Sequence, residues 1–142
     1  MKTIFTSIAI ILSQLLVFAQ SDNQSWKLYT SIEGIEIYTM ETDCRTDDIP
    51  AQKAIILKLV NTTGQNLRIE WDLSVWYNYE KLIHDVKDGE NHYSIDLNPN
   101  QSTQGSCETP YGALYIFKDF ITYVSPTKLT NFALENLRIT KI

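Results

Sequence analysis

Glu70 and Asp72 stand two residues apart in a run of alternating apolar and polar residues. On a strand their carboxylates share one face, about 6.6 Å apart, a separation that glycoside hydrolysis uses for its paired acid and base. Every i, i+2 acidic pair on a solvated strand has this spacing, and the flanking Arg68 favours a surface ion pair instead. His84 and His92 bracket Asp85, Asp88 and Glu90, which are residue types that ligate cations. Their spacing matches no zinc signature and lacks the alternate oxygen ligands of a calcium loop, so the segment reads as a solvated hairpin loop. Asp43, Asp47 and Asp48 form a second acidic stretch beside Cys44, read as a polar loop. No metal and no cofactor is expected. The chain holds no Gly-x-Ser-x-Gly, Ser-x-x-Lys or His-Glu-x-x-His motif, and the reading that follows is non-enzymatic.

The tryptophans point to a different class of chemistry, because flat aromatic rings on a sheet face can hold sugar rings. Trp71 belongs to the apolar side of its segment and is expected in the core. Trp76 is the apolar exception on the polar side, flanked by Tyr77 and sharing its face with Asp72, Ser74 and Asn78. Trp76, Tyr77, Asp72 and Asn78 are therefore the candidate ligand-binding residues. The plainer account is that Trp76 covers a sheet edge or packs on a loop.

These side chains must be positioned by strands. From Leu67 to Tyr79 the apolar residues fall at odd positions (Leu67, Ile69, Trp71, Leu73, Val75, Tyr77, Tyr79) and the polar ones between them, the period of a half-buried strand. That run is longer than a usual strand, which predicts a bend or break near Ser74. Gln52 to Asn61 is apolar on both faces, as in the middle of a covered sheet, and Asn61-Thr62-Thr63-Gly64-Gln65-Asn66 supplies turn chemistry after it. The two strands are expected to form a hairpin or the edges of facing sheets. Further strands are predicted at Trp26 to Thr30, Ile35 to Met40, His92 to Leu97, Leu114 to Lys118 and Phe132 to Ile139. A phase shift near Asn136 predicts a β-bulge. The fold class is all-β: an antiparallel two-sheet sandwich of immunoglobulin-like type with 7–8 strands.

The chain has 142 residues and a formal charge of −5. Residues 1–19 read as a signal peptide: Lys2, then an apolar run from Ile8 to Phe18 broken only by Ser13 and Gln14, then the small-residue pattern ending at Ala19. The run is shorter than the roughly 20 residues of a membrane span. No cysteine stands at the cut, so the expected product is a soluble, non-lipoprotein domain over residues 20–142, secreted or periplasmic. In that compartment Cys44 and Cys107 are predicted to form one disulfide. Scattered lysines and arginines on an acidic chain exclude a nucleic-acid footprint. The Asn-x-Ser/Thr triplets at Asn23, Asn61 and Asn100 read as turn chemistry, since the leader has a bacterial look.

Trp26 with Gly34-Ile35-Glu36-Ile37-Tyr38 resembles the opening of lipid-binding START domains, but the long C-terminal helix of that family is missing. Gly34-Ile35-Glu36-Ile37, Cys44, Asn61-Thr62-Thr63, Trp71-Asp72, Trp76-Tyr77-Asn78 and Cys107 resemble small exported immunoglobulin-like β-sandwich proteins of Bacteroidota. That resemblance implies the fold and no activity. The expected function is contact with a protein partner or surface assembly. The alternatives are a carbohydrate-binding module on Trp76 and a hydrolase using Glu70 and Asp72.

Overall fold

The computed structural model describes residues 25–82 and 91–142, and within them every regular element is a strand. Residues 1–24, with the leader and Asn23, lie outside the described residues, as do His84, Asp85, Asp88 and Glu90 of the expected hairpin loop. Among the described residues nine strands make two antiparallel sheets, one more than the upper end of the expected 7–8. The first sheet comprises β1 (Lys27–Ile32), β2 (Ile35–Cys44), β3 (Gln52–Asn61), β7 (Ser102–Gln104) and β8 (Tyr115–Phe120). The second comprises β4 (Leu67–Tyr77), β5 (Glu80–Lys81), β6 (His92–Leu97) and β9 (Leu129–Lys141).

The two sheets are built on the same plan. In each, one long central strand has a single partner along one side and two short partners in series along the other. β3 takes β2 on one side and β7 then β8 on the other, while β4 takes β9 on one side and β6 then β5 on the other. The expectation that β3 and β4 form a hairpin or two sheet edges is thus corrected: they are the central strands of opposite sheets. Residues 62–66 carry the chain across between them.

The break expected near Ser74 is also corrected, because β4 runs unbroken from Leu67 to Tyr77. The discontinuity lies in its neighbours. Leu73 N–H donates to the Asn91 carbonyl, whereas the Val75 carbonyl accepts from Leu82 N–H, so the partner strand changes across Ser74 while β4 continues. The bulge near Asn136 is present. Glu70 faces Arg138 but Asp72 faces Glu135, so two steps on β4 match three on β9, and Asn136 takes a φ of 52°.

Period-two patterning decides which face is buried. Ile35, Ile37, Leu57, Leu59, Leu67, Ile69 and Trp71 are buried between the sheets, and Tyr93 tilts against Trp71 at 5.7 Å between ring centroids. β3 is apolar on its other face as well. There Ala54 and Ile56 meet Cys44, Tyr115, Trp26 and Phe117 under the loop that carries Cys107. The Cys44–Cys107 disulfide pins that loop across 63 residues of sequence.

Where β1 and β9 run as edges, Tyr29 reaches from one sheet to the other. The parity of β4 sends Leu73 toward β6, so its cross-strand neighbour Leu134 points its N–H away from β4, to the open edge. The Tyr29 hydroxyl from β1 accepts that N–H at 3.3 Å while its ring stacks on Phe132 at 5.4 Å. At the lower end of the sandwich Asn61 is fully buried. Its amide donates to the carbonyls of Gln65, Asn98 and Leu97, and its oxygen accepts from the N–H and hydroxyl of Thr63. It ties β3, the crossing loop and the end of β6 together.

Candidate functional site

The outward side chains of β4 and its neighbours form a row of pairs. Arg68 makes a two-pronged contact with Asp96 on β6, at 2.7 and 2.8 Å. Arg138 on β9 grips Glu70 through Nη2 at 2.9 Å and Nε at 3.1 Å. His92 lies between the two candidate catalytic carboxylates, its Nδ1 2.7 Å from Asp72 Oδ1 and its Nε2 3.7 Å from Glu70 Oε1. An ionised carboxylate only accepts, so Nδ1 carries the proton of that short bond. Asn136, presented by the bulge, donates to the other Asp72 oxygen at 2.7 Å. Farther along, Glu135 accepts from Ser74 at 2.7 Å and from Lys81 at 3.1 Å.

These contacts decide what the row can do. The Asn136 amide, and after it His92, hold the Asp72 carboxyl below its ordinary range against the opposing pull of burial. The Ser74 hydroxyl and then Lys81 lower Glu135 in the same way. A glycosidase needs one carboxyl raised so that it can protonate the leaving oxygen. Here Asp72 is pushed in the opposite direction, and Glu70 is held in an ion pair with Arg138. The arrangement is that of an ion-paired sheet face. Among the described residues no group of three or more His, Cys, Asp or Glu side chains is disposed to hold a metal ion. Asp43 pairs with Arg45 at 3.8 Å, and Asp47 and Asp48 are exposed in the loop that follows.

The four candidate ligand-binding residues do not converge. Trp76 lies on the outer face, half-buried, with the Lys81 ammonium 5.1 Å from its ring centroid. Asp72 is on the same face but is engaged by His92 and Asn136. Tyr77 points to the inner side, where its hydroxyl donates to the Phe117 carbonyl at 3.0 Å and burial raises its pKa. Asn78 lies in the turn after β4, where its side chain donates to the Pro126 carbonyl and accepts from Lys128 N–H.

A second region, not singled out by the sequence reading, draws the attention that Trp76 loses. Tyr77 pairs with Glu80 across a two-residue turn in which Asn78 and Tyr79 have φ of 51° and 68°, the type I′ hairpin form. Tyr79 was expected on the inner face with Tyr77, and that expectation is corrected: the alternation stops at Tyr77, and the Tyr79 ring is 87% exposed. The 121–128 connection lies against this hairpin through Asn78 and presents Tyr123, 52% exposed, and Val124, 90% exposed. Tyr123 stacks on Phe120, which packs on Phe117, which neighbours Tyr77, so the exposed ring ends an aromatic line running out of the core. Tyr111, also exposed and at a φ of 64°, extends from the disulfide-pinned loop beside Tyr115. The signal for the hairpin was Asn78 between two strand-like segments, but without a glycine after it the turn was not legible.

The chain matches no family model, no curated protein and no solved structure. Among the described residues no helix is long and apolar enough to cross a membrane.

Proposed function

We propose that the chain is a secreted or periplasmic, non-enzymatic domain of immunoglobulin-like type that works by contact with a protein partner, through the end bearing Tyr79, Tyr123 and Val124. The observation that carries this reading is that the two most exposed large apolar side chains, Val124 and Tyr79, stand at that end together with Tyr123, while the outer face of the second sheet is occupied by its own ion pairs. Aromatic side chains on firmly mounted loops are the usual anchors of protein interfaces, because a tyrosine brings large area with few rotors to freeze. The carbohydrate reading would need a free face on Trp76, where Lys81 now sits. Photo-crosslinking separates the surfaces. With p-benzoylphenylalanine placed at Tyr123 or at Thr140, in the cells that export the protein, the expected outcome is a protein adduct from position 123 only. Adducts from position 140 alone, or quenching of tryptophan fluorescence by soluble polysaccharide that Trp76→Ala abolishes, would overturn it.

A further inference from the structure

Two hairpins in this molecule share one backbone form. Glu33 and Gly34 join β1 to β2 with φ of 47° and 82°, and Asn78 and Tyr79 join β4 to β5 with φ of 51° and 68°. The second position of such a turn favours glycine, because a Cβ is strained there. Gly34 obeys the rule. Tyr79 breaks it with a bulky ring that is almost wholly in solvent, so its own fold gains little from the side chain. A strained residue whose side chain the fold does not use is a residue held for something outside the fold.

The mounting is firm. Tyr79 N–H donates to Thr130 Oγ1, whose hydroxyl donates to the Trp76 carbonyl, and Asn78 is held on three sides by Pro126 and Lys128. The charges around it are uneven. Lys81, Lys118, Lys128 and Arg45 each already pair with a carboxylate, on Glu135, Glu41, Asp119 and Asp43. Glu80 beside Tyr79, and Asp47 and Asp48 in the loop next to the 121–128 connection, are exposed and make no ion pair among the described residues; the exposed lysines that likewise make none are Lys53 on β3, Lys27 on β1, and Lys141 at the opposite end of the sandwich. Ala51 ends that acidic loop and accepts from Ile121 N–H, which brings the three connections side by side.

We infer that Tyr79 is the anchor of this end and that its partner presents a basic, arginine-bearing protein surface, whose guanidinium lies over the exposed ring while its charge answers Glu80, Asp47 and Asp48. This rests on the protein-contact reading above and adds the chemistry of the partner.

The test uses tetra-arginine amide as the probe and the intact exported domain as the receptor. Titration followed by amide chemical shifts should move residues 78–80 and 121–128, and the affinity should weaken as salt is added. Tyr79→Gly should weaken probe binding about fivefold, the loss of one exposed cation–π contact, while Tyr79→Phe keeps it. The same Tyr79→Gly change should raise the thermal midpoint by about 3 °C, because it removes strain that the fold does not need. A lowered or unchanged midpoint would show that the tyrosine serves the fold, and undiminished binding by Tyr79→Gly would remove its anchoring role. No response to tetra-arginine would remove the basic partner while leaving the Tyr123 crosslink, and with it the broader reading, standing.

Discussion

The hairpins at opposite ends of the sandwich have the same length and the same left-handed backbone, yet their second residues could hardly differ more. A Cβ on Gly34 would lie 2.2 Å from Thr63 Cγ2, so packing leaves no room for any side chain there. Thr63 cannot swing away freely, since its hydroxyl donates to the buried Asn61. At the other end nothing crowds the corresponding position, and a tyrosine projects from it into water. The same local conformation is therefore dictated by packing at one end and tolerated against sterics at the other. The contrast separates an end closed by its own packing from an end that leaves an aromatic ring in water.

The largest effect expected bears on how the end carrying Tyr79 is held. Replacing both Cys44 and Cys107 by alanine should cost about 4 kcal/mol in urea unfolding, from the chain entropy that the cross-link removes. A much smaller loss would mean that the Cys107 loop is held by its packing on Tyr115 and Ile56 alone. Next, Gly34→Ala should cost about 3 kcal/mol, combining left-handed strain with overpacking. Adding Thr63→Ser removes the methyl in the way and should recover part of that loss. If it recovers nothing, strain rather than crowding sets the rule at this end. By contrast, the stabilisation expected for Tyr79→Gly is smaller and opposite in sign, and equal signs at the two hairpins would dissolve the comparison.

The smallest effect concerns the ion-paired face between the ends. Asp72 has its pKa lowered in the fold, by Asn136 first and His92 second. A lowered carboxylate contributes stability above its unfolded value, and that contribution is lost as pH falls through the folded value. The thermal midpoint should hence fall as pH drops below about 4, and fall less steeply in Asp72→Asn. With the Asp72 side chain 38% exposed, solvent screening keeps the difference modest. Equal slopes would mean that the row of pairs contributes nothing to the fold.

What could be read from the chain follows how directly each feature is written in local pattern. β4 declares itself by alternation, and β3 by apolar residues on both faces. The pairing of Cys44 with Cys107 follows from an even count, and the bulge at Asn136 from a phase shift. Each rests on a period or a count that tertiary packing leaves intact. β5 and β7 escaped because strands of two and three residues carry no period. Length alone suggests a break near Ser74, but a change of partner strand there allows β4 to continue. Tyr77 was grouped with Trp76 although successive strand residues face opposite sides. Tyr79 escaped because a turn is recognised by the residue that suits it, and here an unsuited one stands in its place.

The Tyr29 hydroxyl on Leu134 has a consequence for the chain in a crowded compartment. A thirteen-residue edge strand is a template on which another molecule can grow a cross-β stack, hydrogen bond by hydrogen bond. One side chain from the opposite sheet takes up a donor near the middle of that template, and the bulge two residues on breaks its flatness. Both features interrupt the flat, unpaired edge that such a stack would need, which makes the longest strand a poor place for an aggregate to start.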